Sequence, residues 1–434
     1  MNPFKRILRP APGAEYPVSA GKAAAPSAGA EAAPAARKPR LMSLDALRGF
    51  DMFWILGADG VVSAVSRMTE AAPVRLLAGQ VEHSEWAGFT FYDLIFPLFV
   101  FITGVSLVFS LGRTLEQHGR AGAVRRILWR ATLLFALGLL YNGGLSQPWP
   151  AVRLLGVLQR IALAYAAAGL LFCFCRPPLR SAVGVALLVG YWALLTFVPI
   201  RDIALDRNAL AARCGTEHPA PLQVRQLYES TPATVTGCYD PGRNLANHLD
   251  YRFLPGAKYD TYWDPEGLLS LLPAIATCLL GVMAGGWLRR SDWTDRRKLA
   301  RLLVAGGLCL VLGHLWGTDF PVIKKIWSSS FVLVAGGWSL LLLGGFYYVV
   351  DLRQWRGWCQ PFVWIGLNPI TLYLATTLVD FGRIAERLAG GSAAAFLDRH
   401  LAVGIGNLVL ASVTLGLLLL LARFLHRRQI YLRV

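Results

Sequence analysis

Residues 87–111 read AGFTFYDLIFPLFVFITGVSLVFSL, a run long enough to cross a bilayer whose hydrocarbon core of about 30 Å takes roughly 20 helical residues. Ten such segments occur along the chain, at approximately 44–66, 87–111, 126–142, 154–175, 181–199, 266–288, 299–316, 329–350, 360–381 and 402–424. The first, sixth and ninth are interrupted by polar residues; the others anchor the count. The composition agrees with this reading. Only 16% of the 434 residues are charged, against 55% in the hydrophobic set, whereas an average soluble domain carries roughly 25% charged residues. The expected fold class is therefore all-α, a polytopic transmembrane helical bundle of about ten spans.

The formal net charge of +17 does not imply a nucleic-acid partner, because the basic residues sit in short clusters between apolar runs. Examples are Arg125-Arg126, Arg289-Arg290, Arg296-Arg297-Lys298 and Arg427-Arg428. Such clusters carry orientation, since Lys and Arg collect in cytoplasmic connections. Connections 112–125, 176–180, 289–298 and 351–359 all bear arginine, as does the C-terminal tail, which leads us to expect an inner-membrane protein with both termini in the cytoplasm. Residues 1–40, rich in Ala, Pro, Gly and Ser and without an apolar signal-peptide core, read as a disordered cytoplasmic tail preceding a membrane domain over 41–434. The long connection of about 200–265 then faces the periplasm. It holds Cys214 and Cys238, a disulfide pair expected in an oxidising compartment, while the other cysteines fall in or beside apolar runs.

Charges inside spans cost at least about 2.5–3.5 kcal/mol each near the bilayer centre, so each asks for a function. Asp45, Arg48, Asp51, Asp59, Asp93, Arg160 and Asp380 are the ones to explain. Asp45 and Arg48 are spaced as an i, i+3 ion pair at the start of the first segment. Asp59 follows Arg48 by three helical turns on nearly the same side. His83 precedes the second segment and Asp93 lies inside it. Histidine takes and returns a proton near neutral pH, which suits a general base. Gln159-Arg160 interrupts the fourth segment and Asn368-Pro369 the ninth, where proline frees a backbone carbonyl. Lys324-Lys325-Ile-Trp327-Ser328 places two cations on the outer side, against the orientation bias, as solvated charges or as a site for an acidic group. The histidines are dispersed and no spacing fits a metal site. These residues describe a polar intramembrane cavity with an outer-face histidine, open to both a transporter and a membrane enzyme.

Several motifs together resemble the heparan-α-glucosaminide N-acetyltransferase family, bacterial members in particular. They are Leu44-Asp-x-Leu-Arg-Gly-Phe-Asp51, His83 with Trp86-x-Gly88, Asp93-Leu-x-Phe-Pro-x-Phe-Val-Phe-Ile-x-Gly104, Gly156-Val-Leu-Gln-Arg-Ile-Ala162, Tyr262-Trp-Asp-Pro-Glu-Gly-Leu-Leu-Ser270, Lys324 to Trp327, and Gly366-x-Asn-Pro369. The resemblance implies a transmembrane acetyltransferase that takes acetyl from cytoplasmic acetyl-CoA, as co-substrate and without a metal, and delivers it to an amino sugar on the far side. It implies His83 as the residue of acetyl transfer, by general base catalysis or through an acetyl-histidine. Asp59 stands where the animal members have a catalytic asparagine, and with Asp93 it completes the catalytic candidates. Arg48, Gln159, Arg160 and Asn368 are candidates for holding the acetyl-CoA, and Asp45, Lys324 and Trp327 for the acceptor. The animal members' lumenal N-terminal domain and preceding span are not matched here, so polymer specificity is not carried over. A homodimer in the lipid bilayer is expected from the same resemblance. An inner-membrane sugar transporter and an O-acetyltransferase of envelope glycans are the competing readings.

Overall fold

The computed structural model describes residues 41–432; the expected tail over 1–40 lies outside them. The chain is mostly helical, 72%. Helix α1 (Met42–Phe53) runs through a π-helical stretch, Trp54–Ala58, into α2 (Asp59–Ser66). A short α3 (Ala72–Gln80) precedes α4 (Phe91–Tyr141), α5 (Val157–Phe174) and α6 (Pro177–Phe197). The long connection folds into α7 (Arg207–Cys214), α8 (Pro221–Ser230) and α9 (Leu245–Phe253), with β1 (Ile200–Arg201) antiparallel to β2 (Thr234–Val235). Then come α10 (Leu271–Arg289), α11 (Asp295–Trp316), α12 (Ser329–Phe346), α13 (Gln360–Leu367), α14 (Pro369–Leu378), α15 (Phe381–Ala389), α16 (Ser392–His400) and α17 (Ile405–Arg427).

All ten segments read from the sequence fall on helices. By length and composition alone, seven helices among the described residues are suited to cross a membrane, or eight if the pair α13 and α14, bent by 77°, is one span. The difference from ten has physical reasons. The first segment is divided between α1 and α2, each too short alone, and the ninth is broken where Pro369 has no N–H to continue the helix. The second and third share the single run α4. There Gly119 takes φ 62 and ψ −170, a region open to glycine and closed to residues with a Cβ. Arg126 Nη1 donates to Thr114 Oγ1 at 2.8 Å, although residues twelve apart in a straight helix lie about 18 Å apart. The chain therefore doubles back at Gly119, and the two halves of α4 are separate helices.

Close packing without a hydrophobic drive between helices depends on small residues. Gly49 of α1 and Gly366 of α13 show it reciprocally: a Cβ on Gly49 would stand 1.6 Å from the Phe362 carbonyl oxygen, and one on Gly366 would stand 1.9 Å from the Asp45 oxygen. Arg48 Nη1 donates to the Gly366 carbonyl at this contact, 3.2 Å. Gly366→Val is expected to push α1 from α13 and lower the melting temperature of the solubilised protein, at an overpacking cost of about 1–3 kcal/mol. A melting temperature equal to that of the unmodified chain contradicts the contact.

The long connection is a small folded unit with its own apolar cluster of Ile203, Leu205, Leu210, Val224 and Tyr228. The expected disulfide is not formed: Cys214 and Cys238 are both free thiols. They belong to separate features, Cys214 closing α7 and Cys238 standing beside Tyr239, whose carbonyl accepts from Trp86 Nε1 at 2.8 Å.

A histidine cluster at the mouth of an apolar cavity

Four connections converge at one end of the bundle. The 81–90 segment pairs with 317–328 through the Ala87 and Ile323 bridge and the Gly88 N–H to the Val322 carbonyl, 2.9 Å. The 142–156 segment joins 255–270 through the Ala257 N–H to the Val152 carbonyl, 3.1 Å. Trp86 packs edge-on against Trp263, centroids 5.7 Å apart, and ties the two pairs together.

Asp93 organises the chemistry. It sits in the first turn of α4, fully buried, where a carboxylate both caps the helix and meets its positive end. Its Oδ2 accepts from the Thr90 N–H (3.1 Å), Thr90 Oγ1 (3.1 Å) and Ser84 Oγ (2.8 Å). That leaves Oδ1 for His83 Nδ1 at 2.9 Å and for Lys324 Nζ at 3.5 Å. A carboxylate on Nδ1 favours the tautomer with its proton there and the lone pair on Nε2. Lys324 Nζ lies 2.9 Å from Nδ1 and 3.1 Å from Nε2, beside the ring. Burial holds the Lys324 ammonium below the usual lysine range, because desolvation disfavours the charge. Lys324 is fixed by a tight turn: the Trp327 N–H donates to the Lys324 carbonyl at 2.9 Å, with Trp327 at φ 55.

Asp59 reaches the cluster through one residue. It accepts from Tyr92 Oη at 2.9 Å, and the Tyr92 ring lies against His83 with centroids 4.8 Å apart. Beneath these groups is a cavity of about 250 Å³, lined at its mouth by His83, Tyr92, Lys324, Glu266 and Tyr373 and deeper by side chains such as Met52, Ile55 and Phe99. Glu266 is presented by Arg153, which bonds Asp264 through Nε and Nη2, both 2.7 Å, and Glu266 Oε2 at 2.6 Å.

The remaining candidates lie elsewhere. Arg48 and Asp45 pair at 3.3 Å near the start of α1, and the eleven residues from Arg48 to Asp59 amount to roughly 16 Å of helix. Gln159 and Arg160 are buried behind the wall that their neighbours Leu158 and Ile161 line. Gln159 fits against Gly138 and Gly156, and neither of its amide atoms has a hydrogen-bond partner among the described residues. Arg160 lies over the Trp327 ring at 4.7 Å and donates to the Pro265 carbonyl at 2.7 Å and to Ser270 Oγ, so it fastens the segment that carries Glu266. Trp327 is 1% exposed and donates to Thr277. Asn368 is engaged by the C-terminal segment on both sides of its amide, at Ile430 (2.9 Å) and Leu432 (3.2 Å). Asp380 caps α15 through the Arg383 N–H. The carboxyl of Asp51 is buried with no hydrogen-bond partner among the described residues.

Reading the sequence missed Tyr92, Arg153, Glu266 and Tyr373. Glu266 stands inside a quoted motif, two residues after Asp264, and Tyr92 immediately precedes the one that begins at Asp93. Arg153 is one basic residue of the 142–156 connection, and nothing in the sequence joins it to Asp264, 111 residues away.

Asp250 of α9 supports the same segment, accepting from the Leu268 N–H at 2.8 Å and the Asp264 N–H at 3.3 Å. Burial pushes its pKa from 3.8 to about 7. Between pH 4 and 7 the folded protein then holds a proton that the unfolded chain has released, so stability falls as pH rises through this window and levels off above it. Melting curves of the solubilised protein from pH 5 to 8 are expected to show this decline, with Asp250→Asn flattening it. An unchanged slope in Asp250→Asn removes Asp250 as its source.

Comparison with known proteins bears on this geometry. Residues 40–212 match the family model described as heparan-alpha-glucosaminide N-acetyltransferase, catalytic. The family resemblance read from the motifs stands. The matched stretch carries His83, Tyr92, Asp93, Asp59 and Arg153; Glu266 and Lys324 lie beyond it. The chain is similar to the mouse protein named heparan-alpha-glucosaminide N-acetyltransferase, 28% identical over 327 residues, covering 69% of this chain and 49% of that protein. Its human counterpart of the same name is 27% identical over 321 residues, covering 68% and 48%. The chain thus spans about half the length of the curated relatives it matches.

Proposed function

We propose that the protein is a transmembrane N-acetyltransferase that moves acetyl from cytoplasmic acetyl-CoA to the amino group of glucosamine or a related amino sugar on the periplasmic side. The observation that carries this reading is the imidazole of His83, held by buried Asp93 and flanked by Lys324 at the mouth of the cavity. The family names of its relatives support the acetyl transfer and the amino-sugar class.

A thioester is already activated, but an amine attacks it only when neutral. Glu266 at the mouth suits the incoming sugar ammonium, since Arg153 takes one of its oxygens and the other is left for a cation. The ammonium first releases one proton to water, and His83 Nε2 takes a second from the resulting neutral amine as it attacks, with Asp93 stabilising the imidazolium through Nδ1. The amine nitrogen bonds to the thioester carbonyl carbon, the C–S bond breaks, and the CoA thiolate leaves with the proton returned from His83. Lys324 is placed to donate to the carbonyl oxygen as it gains charge. The apolar depth of the cavity, between α1, α4, α5 and α14, suits the slender pantetheine arm, with Arg48 toward the cytoplasmic side. Direct transfer and an acetyl-His83 intermediate use the same groups.

The test is label transfer from radioactive acetyl-CoA to a panel of sugars by membranes containing the protein, with the product linkage read by mass spectrometry. N-acetylated glucosamine is the expected product. An O-acetyl product, or uptake of sugar into proteoliposomes without acetyl-CoA, contradicts the proposal.

A further inference from the structure

Between Glu116 and Asp202 the chain has no acidic residue but nine arginines. Arg153 belongs to the site already described, and Arg160 fastens its Glu266 segment. Arg120 and Arg125 do neither. They sit just after the reversal at Gly119, roughly 40 Å of helix from Asp93. Both are exposed, and neither pairs with a carboxylate among the described residues. They form the rim of a surface groove of about 740 Å³ whose floor is apolar: Val124, Leu128, Trp129 and Phe174. Leu128 is 52% exposed, Trp129 64% and Phe174 59%. The groove shares no residue with the His83 cavity.

We infer that this groove is a binding site for one anionic phospholipid, with the headgroup phosphate between Arg120 and Arg125 and an acyl chain along Leu128, Trp129 and Phe174. Charge and polarity together select this ligand. A soluble phosphate leaves the apolar floor unused, and a neutral lipid leaves two unneutralised guanidinium groups unused. Arginines at a helix end beside an exposed tryptophan suit the level where headgroup meets acyl chain. The inference stands on the membrane character of α4 and α5 and is independent of acetyl transfer.

The experiment is native mass spectrometry of the full chain released from detergent, titrated with phosphatidylglycerol or phosphatidylcholine. The unmodified protein is expected to retain phosphatidylglycerol preferentially. Arg120→Gln/Arg125→Gln is expected to bind it on the order of 25-fold more weakly, about fivefold for each arginine. Arg296→Gln/Arg427→Gln, which removes the same charge elsewhere, is expected to bind as the unmodified chain does. If the double variant melts early, Arg125→Gln alone carries the comparison at about fivefold. Equal retention by the two double variants overturns the inference, as does equal retention of phosphatidylcholine. Displacement of the lipid by millimolar inorganic phosphate assigns the arginines to a soluble anion and also overturns it. A lipid-free dimer dissociated by the groove substitutions does so in favour of a second copy of the chain.

Discussion

Replacing His83 by alanine is expected to lower acetyl transfer from acetyl-CoA to glucosamine by about 10²- to 10⁴-fold, the usual contribution of a positioned general base. The side chain is half exposed at the cavity mouth, and its polar partners among the described residues are Asp93 and Lys324, with the Tyr92 ring against one face. Truncation therefore removes a proton acceptor without opening the core, and the melting temperature should hardly move. Asp93→Asn should behave differently. The amide keeps the shape but no longer stabilises an imidazolium, so transfer falls while His83 remains, and the buried contacts to Ser84 and Thr90 weaken as well. Transfer by His83→Ala at the rate of the unmodified protein would sink the assigned role.

The largest effect on stability is expected from Arg153→Met. Asp264 is 2% exposed and Glu266 lies beside it, and one guanidinium serves both. Removing one partner of a buried ion pair strands the other, at about 3–5 kcal/mol. Adding Asp264→Asn to Arg153→Met should recover part of the loss, because one of the two stranded charges is then gone. Thermal unfolding of the solubilised variants measures both. A single variant as stable as the unmodified chain would mean that the cluster contributes nothing to holding Glu266 in place.

Much of the architecture is legible in the sequence because the bilayer enforces a long apolar run wherever a helix crosses, and each of the ten runs falls on helical residues, though the first and ninth are divided and the second and third share α4. The breaks are less legible. The Asn368-Pro369 interruption announces itself, but the reversal at Gly119 depends on one glycine's dihedral angles within a stretch whose arginines and leucines all favour continued helix. In the site, His83, Asp93, Asp59 and Lys324 were readable because charge beside or inside an apolar run is costly and so conspicuous. Gln159, Arg160 and Asn368 were conspicuous for the same reason, yet their side chains engage the scaffold or lie behind the cavity wall. Intramembrane polarity marks structural anchors as readily as chemistry. Arg153 and Glu266 were silent because their importance comes from a contact between distant connections, and sequence spacing carries no trace of it.

In the proposed mechanism acetyl passes at the cluster of His83, Asp93 and Lys324. A structure of the full-length protein with CoA and N-acetylglucosamine bound tests it most directly. The acetamido nitrogen is expected within hydrogen-bond reach, about 3 Å, of His83 Nε2, with the sugar against Glu266 and the pantetheine arm descending between Ile55 and Phe99. A product seated away from His83, or a CoA thiol with no access to this cavity, would contradict it.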